Sequence, residues 1–247
     1  MDFMKKVFLA VLAVMALAVF PHGSAHATPS SQVWIPSPDI QPFGTLHLGV
    51  DNYTTFFKNK VDGGHMFPVD VGVTVGLLET NFVNAELGVD FRESTDNPTF
   101  FNAKLGLKED TIGKYFPAFV LGGYNFGTKS EVTDYNIFYL EVAKTLGSFG
   151  RLTAGYYMGS DKLLVNTRGQ KENNGVLLSF DRTMAEISPK LWLAIDHMGG
   201  QNVLSATSFG LSWKFSPNVS ALVGYSVYSE PKLAGENMAT IQFKLDF

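Results

Sequence analysis

A period of two runs through most of this 247-residue chain. From Val69 to Leu77 every odd position is apolar (Val69, Val71, Val73, Val75, Leu77), and Asp70, Gly72, Thr74 and Gly76 lie between them. Successive side chains of a strand point to opposite faces, so such a run predicts a strand with one greasy and one polar face. The pattern recurs. Val83 to Phe91, Phe101 to Leu107, Val176 to Phe180, Leu191 to Ile195, Phe209 to Phe215, Val219 to Val227 and Ala239 to Phe247 each keep one face free of polar side chains. Four looser runs, Thr45 to Phe57, Pro117 to Gly127, Tyr135 to Leu146 and Arg151 to Gly159, bring the expected strands to about twelve. In Pro117 to Gly127 the phase is open, because Ala118, Val120, Tyr124 and Phe126 compete with Phe119 and Leu121 for the apolar face.

The expected connections separate two kinds of all-β protein. Segments near 58 to 66, 93 to 98, 128 to 134, 160 to 174, 198 to 206 and 229 to 237 are mostly longer and polar; those at 79 to 81, 109 to 116, 147 to 150, 182 to 189 and 216 to 218 are mostly tighter. A water-soluble sandwich has no reason to sort its loops by length, whereas a transmembrane antiparallel up-and-down β-barrel keeps short turns on one side and long loops on the other. In that topology Phe56, Phe57, Phe101, Tyr135, Phe138, Tyr156, Tyr225 and Tyr228 fall near the loop end. Phe43, Tyr115, Phe116, Phe149, Trp213, Phe215, Phe243 and Phe247 fall near the turn end, which gives the two aromatic belts of a membrane barrel.

The amino terminus reads as an export signal over residues 1–27: Lys5 and Lys6, an apolar run from Val7 to Phe20, then Ala25-His26-Ala27, with cleavage expected after Ala27. Residues 28–44 follow as a segment with Pro29, Pro36, Pro38 and Pro42, which excludes a helix or a central strand. An extended periplasmic tail, anchored by Trp34, Ile35 and Phe43, is the expectation, with a linker as the alternative. Residues 45–247 form the barrel.

These features together resemble Gram-negative outer-membrane β-barrel proteins: the Ala25-His26-Ala27 signal, the amphipathic runs, and the final run Ile241-Gln242-Phe243-Lys244-Leu245-Asp246-Phe247. The resemblance implies residence in the cell outer membrane, a coat of outer-membrane lipid, and recognition of the carboxy-terminal strand, ending in Phe247, by the barrel-insertion machinery. It names no activity and no subfamily.

Function must then come from the inward face. The phase of the runs places Asp51, Asp70, Glu86, Asp90, Glu141, Asp181, Asp196 and Asp246 inside with Arg92, Lys104, Lys108, Arg151, Lys214 and Lys244. Charges away from water must be hydrated or paired. A hydrated path would make the protein a narrow channel for small hydrophilic solutes, and a sealed set of ion pairs would make it a structural or partner-binding barrel, through loops such as Ser160 to Asn174. Inward glycines at Gly72, Gly76, Gly88, Gly106, Gly155, Gly210 and Gly224 either leave open volume or ease strand curvature.

Other classes find little support. The chain has no cysteine, so disulfides, thiolate metal sites and a cysteine nucleophile are excluded. A net charge of −4 without a basic block gives no footprint for nucleic acid. No dinucleotide fingerprint, haem motif or zinc spacing is present, so neither cofactor nor metal is expected. An outer-membrane hydrolase could recruit His65, Asp70 and Asp196-His197 at the loop end, but strand neighbours point apart, and no catalytic residue is assigned. His47 and Asp51 share the inward face, four residues apart and too distant to touch.

Overall fold

A computed structural model describes residues 30–55, 69–92 and 95–247. The expected signal peptide, its cleavage point, Phe56, Phe57, His65 and the loop near 58 to 66 lie outside those residues. Twelve strands are present: β1 (Leu46–Thr54), β2 (Asp70–Glu79), β3 (Asn84–Arg92), β4 (Thr99–Leu107), β5 (Ala118–Gly127), β6 (Asp134–Thr145), β7 (Arg151–Met158), β8 (Asn174–Thr183), β9 (Leu191–Met198), β10 (Ala206–Ser216), β11 (Val219–Tyr228) and β12 (Met238–Asp246). Each pairs antiparallel with the next in sequence, and β12 pairs with β1 to close the barrel. Closure removes every sheet edge, so each strand's backbone N–H and C=O groups find partners within the barrel wall. Among the described residues a short α-helix, α1 (Pro231–Ala234), lies between β11 and β12, and a 3-10 turn, Gly147–Phe149, lies between β6 and β7.

The alternation sorts as its period demands. Leu87, Phe91, Leu105, Leu140, Leu152, Leu178, Phe209, Leu211, Val223, Ile241 and Phe243 are all exposed on the outer wall. That wall bears a contiguous apolar surface far larger than a protein surrounded by water presents. The connections also sort by rim. β1–β2, β7–β8 and β11–β12 are joined by long segments at one end, the loop end, whereas β2–β3 and β10–β11 turn tightly at the other, where β1 begins and β12 finishes; the β4–β5 connection, 108–117, is the exception, longer at the turn end than 93–98 and 128–133 at the loop end.

The open phase of β5 is resolved by two bulges. Ala118 and Val120 are buried inward and Leu121 is exposed outward; register then shifts between Phe101 and Ala103 on β4 and between Tyr124 and Phe126 on β5. Asn125 takes φ 57, so Tyr124 and Asn125 both line the lumen, and Phe126 returns to the outside against Phe138 at 5.1 Å between ring centroids. One extra residue thus flips the face, which is why no single phase fits this run. A second departure concerns the loop-end aromatics. Phe101, Phe138, Tyr156 and Tyr225 are exposed as expected, but Tyr135 lines the lumen and Tyr228 is buried against Trp34.

Leu211 lies midway along β10 on the outer wall, so Leu211→Arg should cost about 2–4 kcal/mol of folding stability in lipid vesicles. Denaturant titration of the vesicle-folded protein measures it, and an unchanged midpoint would place this face elsewhere than against acyl chains.

Candidate functional site

Residues 30–44 are not a tail trailing from the barrel. They form a strap inside it, and the expectation of an extended periplasmic segment gives way to a plug. The prolines are compatible with this because the strap needs no sheet ladder: Ser31 bridges to Pro36, and the Gln32 N–H donates to the Ile35 carbonyl at 2.8 Å, closing a tight turn. Gln32, Val33, Ile35, Ser37 and Gln41 are all buried.

The strap's base rests on β2. The N–H of Gly44 donates to the Gly76 carbonyl at 2.9 Å, and the N–H of Gly76 donates to the Thr45 carbonyl at 3.1 Å. Its tip reaches the opposite wall. There the N–H groups of Val33, Trp34 and Ile35 converge on Asp196 Oδ2 at 2.8, 2.8 and 3.4 Å, three donors wrapped around one carboxylate oxygen. Gln242 Nε2 donates to the Val33 carbonyl at 2.8 Å, and the Trp34 indole N–H donates to the Leu204 carbonyl at 2.8 Å. Trp34 also meets Tyr53 and Tyr228 edge-on at 5.5 and 5.6 Å.

Between base and tip, the lumen's charges hold the strap's polar groups. Lys104 Nζ donates to the carbonyls of Ser30 and Asp39 at 3.2 and 2.7 Å and pairs with Glu86 at 3.1 Å. Glu86 accepts the Gln41 N–H at 2.6 Å, and Lys244 Nζ donates to the Ser31 carbonyl at 3.2 Å. Arg151 grips the Asp39 carboxylate with both terminal nitrogens, at 2.7 and 2.9 Å, while its Nε donates to Asp181 at 3.0 Å. Gln32 Nε2 donates to the same Asp181 carboxylate at 3.1 Å.

The inward glycines acquire a purpose from this. A Cβ on Gly76 would lie 1.9 Å from the Pro42 carbonyl oxygen, one on Gly210 would lie 2.6 Å from Val33 Cγ2, and one on Gly224 would lie 2.9 Å from Val33 Cγ1. These three positions are seats for the strap, an outcome that neither open volume nor eased curvature anticipated.

The remaining lumen candidates divide by position. Asp51, Asp70, Asp90 and Arg92 line a cavity of about 290 Å³ bounded by the strap and the walls of β1 to β6. Glu141 is wholly buried in the wall of β6. Asp246 pairs across the β1–β12 seam with His47 at 2.6 Å, the cross-strand partner that one-strand spacing could not reveal. Lys108 sits in the turn after β4 and pairs with Glu79 at the exposed rim, and Lys214 lies half-buried near the turn end of β10. Asp196 and His197 face opposite ways: Asp196 holds the strap, and His197 Nδ1 lies 2.9 Å from Thr207 Oγ1.

Asp196→Ala removes the acceptor shared by three strap N–H groups and should loosen the tip without opening the barrel. Limited proteolysis should then cut within residues 30–42 several-fold faster than in the parent protein, and equal cleavage would show that the tip is held by other contacts.

No protein-family model and no curated protein matches this sequence. Solved structures do. The chain is similar to the KdgM porin (TM-score 0.54, 9% identity, 81% of this chain and 99% of that one) and to a KdgM porin in complex with disordered oligogalacturonate (TM-score 0.55, 10% identity, 81% and 99%). It is also similar to an outer membrane channel from Pseudomonas putida F1 (TM-score 0.50, 12% identity, 85% and 98%). The likeness, at such low identity, is one of fold: a closed twelve-stranded barrel of the kind found among outer-membrane porins.

Proposed function

We propose that this protein is an outer-membrane channel for small hydrophilic solutes, exported by its amino-terminal signal and narrowed from within by the strap. The observation that carries the reading is the chemistry of the lumen filling. Twelve strands enclose a backbone radius of roughly 12 Å, too wide for wall side chains alone to close. The remaining space is taken by a strap held through carbonyls, N–H groups and paired charges, beside a cavity lined by charged side chains. A barrel meant only as a rigid support could fill the same space with apolar side chains at lower desolvation cost. Polar seats and glycine notches suit an insert whose contacts water can replace. The fold shared with porins supports the same reading.

The sealed, partner-binding alternative draws on the same strap, since its contacts run from Gly76 to Asp196. The two readings separate in planar-bilayer recording. The processed protein should give small discrete conductance steps, and Asp196→Ala should give larger or longer ones. Silence from both proteins would contradict the channel. The hydrolase reading has less to stand on, because Asp196 is committed to the strap and faces away from His197.

The carboxy-terminal strand follows from the same proposal. β12 is bonded to β11 on one side and to β1 on the other, so its delivery by the insertion machinery is the step that closes the wall. Deleting Phe247 should lower the yield of assembled barrel in the outer membrane several-fold, as judged by heat-modifiable migration on gels; unchanged yield would remove the terminal aromatic from that role.

A further inference from the structure

The cavity between the strap and the loop end is asymmetric in charge. Asp51 and Asp70 are direct partners across the β1–β2 pair, so their Cα atoms lie about 4.5–5.5 Å apart, and both side chains point inward. Asp90 joins them from β3. It stands opposite Gly72, and a Cβ on Gly72 would come within 2.5 Å of Asp90 Oδ1, so this glycine lets the Asp90 carboxylate lean across β2 towards the other two. Three carboxylates on three adjacent strands thus share one side of the cavity.

The guanidinium of Arg92 answers them there, and it is already engaged. Its Nε and Nη2 both lie against Asp70 Oδ2, at 3.0 and 2.9 Å; Nη2 also donates to Asn125 at 3.1 Å, and the group stacks over Phe100 at 4.4 Å. Asp90 Oδ2 accepts a hydrogen bond from Asn102 at 2.8 Å, which carries no charge. Two lysines also line the cavity: Lys104 is engaged by the Ser30 and Asp39 carbonyls and by Glu86, and Lys244, which acts on Asp51, donates to the strap at Ser31. Asp51 Oδ1 and Asp70 Oδ1 are shielded from solvent and have no hydrogen-bond partner among the described residues. Carboxylate oxygens shielded from water and left without a donor are costly, and a guest that donates to them recovers that cost.

The cavity is also aromatic: Trp34 on the strap, Tyr53 two residues from Asp51 on β1, and Tyr124 and Tyr135 on β5 and β6 line it. Rings of this kind attract cations and accommodate short apolar bodies. Three carboxylates that outnumber the cations facing them, aromatic rings around the same space, and room for a molecule of modest size define a complementary guest.

We propose that this cavity binds small organic cations, solutes that carry an ammonium or guanidinium head on a short apolar body. The inference deepens the channel reading by giving its solute class. Asp51 and Asp90 receive the charged head, Asn102 orients the Asp90 carboxylate, Asn125 holds the Arg92 guanidinium beside Asp70, and Trp34 and the tyrosines cover the body.

Three guests with one body and different heads test this on the native, detergent-solubilised protein: pentylammonium, pentanol and pentanoate, titrated by calorimetry at low and high salt. Pentylammonium should bind at least about tenfold more tightly than either of the others, a difference of about 1.4 kcal/mol, and its advantage should shrink as salt rises. Asp51→Asn and Asp90→Asn should each reduce the preference severalfold. Equal binding of the three guests by the native protein would overturn the proposal without any variant having to fold, as would a preference that both variants retain in full. Bilayer recording on the same preparation separates this from the channel itself. Conductance without cation preference in binding would leave the channel and remove this site, whereas cation-selective binding by a silent barrel would leave the site and remove the channel.

Discussion

Everything in this molecule depends on the seam between β1 and β12. A strand surrounded by hydrocarbon has no water to satisfy its N–H and C=O groups, so an open sheet cannot persist there, and only closure supplies the missing partners. The seam runs from His47 opposite Asp246 to Thr54 opposite Ala239, and the paired side chains of His47 and Asp246 reinforce it within the lumen. Closure also fixes which face is which. Once the ring forms, the alternation in every strand assigns its apolar side to the outside and its charged side to the interior.

The interior then poses the opposite problem. Twelve strands leave a lumen too broad for side chains to fill and lined with charges that need partners. The strap answers both needs with a backbone that offers carbonyls to Lys104 and Lys244 and N–H groups to Asp196 and Glu86. Arg151 shows the logic most clearly. It bridges a wall carboxylate, Asp181, to a strap carboxylate, Asp39, so neither lumen nor strap is satisfied without the other. A plug made of exchangeable polar contacts can be reconciled with a solute path, where an apolar core could not.

Much of the barrel was legible in the sequence because period two is imposed by geometry. Val71, Leu105 and Phe243 lie on the outer wall for no other reason than their spacing. β5 was not legible, since a bulge at Asn125 resets the phase and leaves no mark beyond an asparagine able to adopt positive φ. The strap was hidden more deeply. Prolines at 36, 38 and 42 signal extended chain without saying where it goes, and the partners of Val33, Trp34 and Ile35 lie more than 160 residues away. A faint signal did exist in the inward glycines at 76, 210 and 224, whose missing side chains leave room that the strap takes. Position along the strands alone assigns Tyr135 and Tyr228 to the outer belt, and a hydroxyl-bearing ring serves a polar lumen equally well.

Trp213 is exposed on the outer wall, and Trp34 lines the lumen of the same barrel. Fluorescence of single-tryptophan proteins in vesicles of brominated phospholipid measures this directly. With Trp34 and Trp192 replaced by phenylalanine, emission from Trp213 should be strongly quenched by the bromine atoms. With Trp192 and Trp213 replaced, emission from Trp34 should be nearly untouched. Quenching of Trp34 to the same extent, or none at Trp213, would contradict both the membrane-facing wall and the strap within it.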